Sequence, residues 1–529
     1  MPNYNAALSY DVARAWDGVP TGFGRYELYV DWNNDGDFSD ANEDITDDVL
    51  EITCKRGRDF ASQLTGKAVA GTMEVSLRND AGKYSPFNAS SALAGSLLPN
   101  RKIQLKTSLP TATTIWTGYI EQIQPEVQKG AYTTAKIHAL GIFKKFATTD
   151  VSVPKQTSIR TGAAIGAVLD AASWGASDRT IDTGETTITR FHFDGGKVLT
   201  ALRQIEATES GFIRETTDGK IEFEDRRHRL TATASKTSQA TFADDGTGFS
   251  YMGVRQEDAM SLVYNEFRCS VSTYTVGSLA ALWTHPLAST SGTAPLIKAA
   301  EAITIRAEYP NITSASNVVG VDTWTTPVAT TDYLANAASN GTGTNYTSSL
   351  NIGVSKASKT MEITITNNAS VDVYLTKLQA RGTPITISDP FTIKAEDSTS
   401  QTTYGIRTYP RPVEAKWVPT QEEAKSWCLQ NLGAHKDPTP VMQLAFNANK
   451  SGDTLTQALT RDISDRITVK ASTNAKLGIN RDFYIESVSH KITAGGLHQT
   501  SYTLSDTAGF SGFWVLGSSA LGRDTRLTY

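Results

Sequence analysis

Cysteine is scarce in this chain. Cys54, Cys269 and Cys428 are the only three in 529 residues, and they lie far apart. No C-x-x-C pair exists, which excludes a thiolate zinc cluster and a disulfide framework. The three read as small buried hydrophobes. Histidine is also thin, with seven residues scattered along the chain. His490 and His498 flank a hairpin signal, "HKITAGGLH". A two-histidine metal site is conceivable there, but surface histidines beside a turn are the plainer reading. No GxSxG, HExxH, GxxxxGK[ST] or strand–GxGxxG–helix pattern occurs, so the familiar hydrolase, metalloprotease and nucleotide signatures are missing. No apolar run approaches the roughly 18–20 residues of a membrane helix, so no span is expected. The first residues show no basic segment followed by an apolar stretch, so no cleaved leader is expected. Strong charge of one sign is absent too: 50 Lys and Arg against 55 Asp and Glu give a net charge of −5. A domain whose main work is neutralising phosphates is strongly basic, so that class is excluded.

Short alternating strands dominate what is present. "RYELYVDW", "GTMEVSLRN", "RKIQLKTSL", "TIWTGYIEQIQPEVQ" and "YTTAKIHALG" alternate apolar and polar residues, the period of a half-buried strand. Residues 1–150 therefore read as an N-terminal β-barrel domain. Residues 161–173 and 195–211 switch to helical spacing, with Val198, Leu199, Leu202, Ile205 and Glu206 on one stripe and Gly211 as its stop. Asp218-Gly219 then marks a hairpin. Residues 151–250 form a small α+β module. Residues 251–276 and 396–505 carry strands again, around one helix at 420–438. Thr420 and Glu423 make its capping box, and Gly433 is read as its end. They are expected to form a second barrel. Between them, 277–395 is rich in Ser, Thr, Ala, Asn and Gly yet holds strands such as "KTMEITITN", and reads as an inserted β-sandwich. Residues 506–529 form a Gly/Ser-interrupted C-terminal tail. The fold class is mainly β with a small α+β portion.

Three features carry chemistry. In "DWNNDGDFSDANE", Asp31, Asn33, Asp35 and Gly36 copy the first half of a calcium loop. The match then fails, because position 12 is Asn42 and Glu43 comes one residue late. Asp31, Asn33, Asp35 and Asp37 are the candidate ligands of a structural Ca²⁺; the alternative is a plain acidic hairpin loop held by Asx turns. Glu222 and Glu224 sit two apart on one strand face, the pattern of a carboxylate pair for glycoside hydrolysis. A solvated strand edge beside Arg226 and Arg227 is the plainer reading. Trp324, Tyr333 and Tyr346, if exposed on the inserted sandwich, would stack on sugars; otherwise they are rim or core residues.

The assembled pattern resembles the central baseplate hub, or minor tail protein, of long-tailed bacteriophages and related contractile injection machines. The stretches that carry the resemblance are "VLEITCKRGRDFASQLTGKAVAGTMEVSLRNDAGKYSPFN", "TIWTGYIEQIQP", "VLTALRQIEATESGFIRETTDGKIEFEDRRHR", "YGIRTYP…TQEEAKSWCLQNLGAHKDP" and "DRITVKAST…INRDFYIESVSHKITAGGLHQTSYTLSD". The resemblance covers about three quarters of the chain and rests on no catalytic signature. The resemblance implies two tube-type β-barrel domains per protomer and a homotrimer forming a ring that continues the tail tube. It implies contact with a distal tail protein or tube on one side and tail-tip or fibre proteins on the other. Phage DNA would pass through the lumen without specific binding. The protein would assemble in the host cytoplasm and reside in the virion, at the tail tip or baseplate. No peptidase or lysozyme domain is expected, and no cofactor is required beyond the Ca²⁺ considered above. The 277–395 insertion departs from a minimal hub and reads as a decoration that contacts neighbouring tail proteins or host surface glycan. The rival readings are an adhesin or carbohydrate-binding module working through that sandwich, and a cell-wall hydrolase using Glu222 and Glu224.

Overall fold

The computed structural model describes residues 25–58, 67–109, 111–127, 133–193, 195–257, 262–271, 273–309, 318–409, 413–414, 417–418, 420–438 and 440–507. The expected C-terminal tail lies almost wholly outside the described residues, as do the first 24.

The protein is mainly β, with 45% strand and 19% helix in several sheets. A single sheet of twelve strands dominates it. Its first lobe is built from Arg25–Val30, Val49–Gly57, Val69–Arg78, Lys102–Leu109, Thr113–Glu126 and Thr134–Leu140. Its second lobe is built from Thr241–Ala243, Gly253–Glu257, Val441–Asn447, Arg466–Ala471, Ile479–Thr493 and His498–Asp506. No closed barrel is found among the described residues. The two barrels expected from sequence are instead lobes of one open sheet, joined where Val49–Gly57 pairs antiparallel with Ile479–Thr493. The reason lies in Val49–Gly57 itself. It pairs with Val69–Arg78 along one edge and with the second lobe along the other. Gly57 makes the last step possible. Its φ of +108° suits glycine, and an added Cβ would collide with the Glu486 carbonyl.

Each lobe has an apolar side. In the first, Leu28, Val30, Met73, Val75, Leu77, Leu105, Trp116 and Ile137 form one core, which reaches across the seam to Ile492. The second lobe shares its core with the helical module. Ile165, Leu202, Phe212 and Phe223 belong to the same cluster as Phe242, Phe446, Ile485 and Leu504. The apolar stripes of helices Thr161–Ala171 and Val198–Glu209 are buried in it, as their spacing predicts. The second helix stops one residue earlier than expected. Ser210, not Gly211, takes the left-handed conformation that ends it, and the Gly211 N–H returns to the Glu206 carbonyl. Helix Gln421–His435 starts at Thr420 as predicted, with the hydroxyl accepting the Glu423 N–H. It runs through Gly433, because the Lys436 N–H still bonds the Leu432 carbonyl. Helix Gly452–Thr460 was not anticipated. Its signals are Ser451 and Thr454, which form a reciprocal capping box, and the buried pair Leu455 and Ala458.

In the insertion, strand Val373–Ile387 is a spine. It pairs in turn with Tyr274–Val276, Ala280–Thr284, Leu296–Ile297, Val318–Trp324 and Tyr333–Asn336. A second sheet of Ala302–Glu308, Thr360–Asn367 and Leu350–Lys356 covers it. One core of Ile297, Val321, Met361, Ile363, Leu375 and Leu378 lies between the two. Trp324 and Tyr333 are part of that core, 4% and 8% exposed. They are not sugar-stacking platforms. Tyr346 packs against the same core, partly buried.

Candidate functional site

The densest chemistry lies where the hairpin Phe212–Glu215 and Ile221–Glu224 wedges between the lobes. Asp218-Gly219 turns this hairpin, inside a loop closed by the Thr216 N–H on the Lys220 carbonyl. Register places Arg214 opposite Glu222. Its guanidinium meets Glu222 at 2.6 Å, Glu224 at 2.8 Å and Asp462 of the second lobe at 2.8 Å. Arg56, from the joining strand, donates to the Glu215 carbonyl at 3.1 Å and to the other oxygen of Asp462 at 2.9 Å. The second oxygen of Glu224 accepts the Ser464 hydroxyl at 2.5 Å. Glu486 receives Arg229 on both oxygens, at 2.6 and 3.0 Å, with Arg58 at 3.4 Å and the Ser505 hydroxyl at 2.6 Å.

This network corrects the expected solvated edge. Glu224 is 1% exposed, and its oxygens are engaged by Arg214 and Ser464. Burial opposes ionisation of Asp462, yet Arg56 and Arg214 outweigh it and hold its carboxyl far below the usual carboxylate range. Burial likewise opposes ionisation of Glu486, and Arg229 and Arg58 bring it down to about 2. Glu222 moves the other way, raised by burial against the pull of Arg214. Glu215 differs in kind. It is raised by burial, and its oxygens accept the backbone N–H groups of Gly71 at 2.6 Å and Phe143 at 2.7 Å. At Gly141 any Cβ would strike this carboxylate. Carboxylates committed to guanidinium and backbone donors hold segments together; they are poorly placed to give protons to a substrate.

At another point of the seam His490 pairs across the lobes with Cys54. His490 Nδ1 stands 2.9 Å from His498 Nε2, and His498 Nδ1 stands 2.6 Å from the Tyr26 hydroxyl. Both histidines are buried, at 5% and 0% exposure, contrary to the surface reading. Burial depresses both, His498 to about 3. Among the described residues no group of three or more His, Cys, Asp or Glu is arranged to hold a metal ion. Nor is any described helix long and apolar enough to cross a membrane.

The acidic turn is wired by hydrogen bonds. Asp31 is 2% exposed and accepts the N–H groups of Asn34, Asp35 and Gly36. Asn33 donates to Asp35 and Asp40, while Asp37 faces Ser39. Glu43 accepts the N–H groups of Trp32 and Asp40. The turn then lays residues 43–46 along the edge of strand Arg25–Val30 that no other described strand pairs. The Val30 N–H reaches the Glu43 carbonyl at 2.9 Å, and the Ile45 N–H reaches the Leu28 carbonyl at 3.0 Å. Thr46 Oγ1 accepts the Leu28 N–H at 2.9 Å. That seals part of an edge otherwise open to another chain.

The side of the large sheet facing away from the cores is polar from lobe to lobe. Across the seam Thr53 stands opposite Lys491 and Lys55 opposite Ser489. The same face continues through Glu74 and His138 in one direction. In the other it continues through Ser501, Thr503 and Gln443. These side chains are exposed or half-buried.

No protein-family model and no curated protein matches the chain. Solved structures do. The 43 kDa tail protein of prophage MuSo2 from Shewanella oneidensis is similar over 92% of this chain and 98% of its own, at 10% identity and a TM-score of 0.45. The tail protein from Neisseria meningitidis MC58 is similar over 91% and 96%, at 9% identity and a TM-score of 0.47. Both are tail proteins. The E. coli c3393 protein, a component of the type VI secretion system, is similar over 90% and 76%, at 6% identity and a TM-score of 0.38.

Proposed function

We propose that the chain is a structural hub of a phage tail, a homotrimer that continues or closes the tail tube and organises the tail tip for DNA ejection. One observation carries the reading: a sheet that runs unbroken across two lobes, apolar on its core side and polar on the other. A wall made this way presents Gln, Ser, Thr and mixed charges to a passage. Lys55 and Lys491 on this face are offset by Glu74 and by Glu51, which meets Lys491 at 3.0 Å, so it has no strong basic excess with which to grip phosphates. The ion network beneath the seam supports a rigid mechanical role, because Arg214, Glu224, Arg229 and Glu486 are buried and losing a partner strands charge there. The stretches that resemble the hub family lie on these same strands. The insertion then projects as a decoration for neighbouring tail proteins or host glycan. Glu222 and Glu224 serve as partners of Arg214, which supports a non-enzymatic part.

Asp31, Asn33, Asp35 and Asp37 remain the proposed ligands of a structural Ca²⁺ on the strength of their sequence spacing alone; as folded, the turn does not arrange three of its carboxylates to hold an ion. Electron microscopy of the purified protein or of particles tests the hub reading. A three-fold ring with the polar sheet face inward is expected. A monomer that binds glycan and never forms a ring would replace the hub with the adhesin.

A further inference from the structure

One arrangement is not needed by the mechanical reading. His228 opens the short helix His228–Thr231, immediately after the hairpin. Its Nδ1 stands 2.7 Å from Asp182 Oδ2, at the end of strand Arg179–Ile181. Its Nε2 stands 4.0 Å from Glu224 Oε1. The ring thus lies between carboxylates of two elements. Asp182 also accepts the Asp225 N–H at 3.0 Å. An open cleft of about 400 Å³, lined by Asp182, Glu185, Asp225 and His228, gives water access to the ring.

We propose that His228 is a pH-sensitive clamp: beside the ladder that already pairs Arg179–Ile181 with Ile221–Glu224, it fastens the start of helix His228–Thr231 to the end of strand Arg179–Ile181 when its ring is protonated, and loosens that fastening when the ring is neutral. An imidazolium donates from both nitrogens and is attracted to both carboxylates; a neutral ring keeps one N–H and loses the attraction. The surrounding charges favour the protonated ring. From the strand side Asp182 and Glu185 face the cleft, with Arg227 held by Glu185 at 3.4 Å. From the hairpin Glu224 stands 4.0 Å from the ring and Glu222 adds its charge from two residues away, with Arg214 engaged by both. Asp225 borders the ring from its own segment, and Arg229 turns away to Glu486. In the second lobe Asp462 is occupied by Arg56 and Arg214. Burial lowers the affinity of the ring for a proton, but Asp182, Glu224 and Glu222 outweigh it and raise it above the ordinary histidine value. The sign follows. A raised folded pKa makes the clamp complete below the unfolded value and loses it as pH rises through the folded value.

The test uses the full chain. Deuterium exchange at the histidine ring carbon, read by mass spectrometry from about pH 5 to about pH 9, gives the titration of His228 itself. Amide exchange over 179–182 and 224–231, corrected for its intrinsic pH dependence, gives the state of the joint. A ring midpoint above 6.5 is expected, with amide protection falling through that midpoint. Each pH unit of elevation corresponds to about a tenfold change in the clamp constant. Asp182→Asn should lower the midpoint, and His228→Gln should abolish the pH-dependent change in protection. A midpoint at or below 6.5, or protection that stays flat through it, overturns the proposal. Because the wild-type titration is decisive alone, misfolding of either variant leaves the test intact.

Discussion

Arg214 and Asp462 are 248 residues apart in sequence and 2.8 Å apart in space. Through this pair, and through Arg56 on the other Asp462 oxygen, the hairpin, the joining strand and the second lobe meet at one carboxylate. Arg56 and Arg214 are buried while Asp462 is part-exposed, so removing Arg214 is the change that strands buried charge. Arg214→Ala should cost about 3–5 kcal/mol in urea unfolding, and Asp462→Ala less, because its side chain is part-exposed and Arg214 keeps Glu222 and Glu224. Replacing Arg214 with Met while Glu222 and Glu224 become Gln should recover much of that loss, since no buried charge is then unpaired. Equal losses in the single and triple variants would mean that packing, not charge, sets the cost.

Acid should weaken the seam in two stages. His490 and His498 are held neutral by burial, so the unfolded chain takes up protons first. Their contribution is complete above 6.5 and is lost as pH falls towards about 3. Asp462 and Glu486 are depressed, so their contribution is present above the ordinary carboxylate value and lost below it, Glu486 at about 2. Thermal melting from neutral pH downward should show Tm already falling near pH 6. A Tm that stays level until below pH 4 would contradict the histidine part.

The acidic turn should matter with or without metal. Asp31→Ala removes the acceptor for three backbone N–H groups. It should cost about 1–3 kcal/mol and promote association through the unsealed edge of Arg25–Val30. Light scattering of the variant reads the second effect. Chelator on the wild type separates the readings: a fall in Tm supports the proposed Ca²⁺, and an unchanged Tm leaves a turn closed by its own hydrogen bonds.

Trp324 offers a check on the insertion. Its ring is buried and its indole N–H donates to the Ala357 carbonyl at 2.8 Å. Trp324→Ala should destabilise this unit by about 3–5 kcal/mol. A variant that keeps its melting behaviour but loses glycan affinity would restore the sugar-platform reading.

Glu222→Gln with Glu224→Gln should lower Tm, because Arg214 then lacks two of its carboxylates. Cell-wall degradation by purified protein should be unchanged from background in both forms. Wild-type lysis that disappears in the variant would overturn the non-enzymatic reading.

Much of this was legible in the sequence. Alternation with period two named the strands, because one face of each is buried. The spacing of Val198, Leu202 and Ile205 named a helix. Thr420 marked its start through a local hydrogen bond. These are properties of neighbours in the chain, and neighbours are what a sequence displays. Helix ends were less legible. Ser210 and Lys436, not Gly211 and Gly433, finish the helices: Ser210 itself takes the left-handed turn, and the Lys436 N–H still reaches the Leu432 carbonyl.

The sequence by itself determined a mainly β chain, weakly charged and poor in cysteine, with an acidic turn and two groups of strands around a helical module. Only the tertiary structure decided that the lobes share one sheet. Strand Val49–Gly57 has two hydrogen-bonding edges, and nothing local specifies what pairs with the second. Tertiary structure also decided the fate of the charges. Glu224, Asp31, His490 and His498 look like surface groups in a list of residues. Burial and distant partners make them fasteners, since a polar group removed from water is tolerated only where another part of the chain supplies its partner.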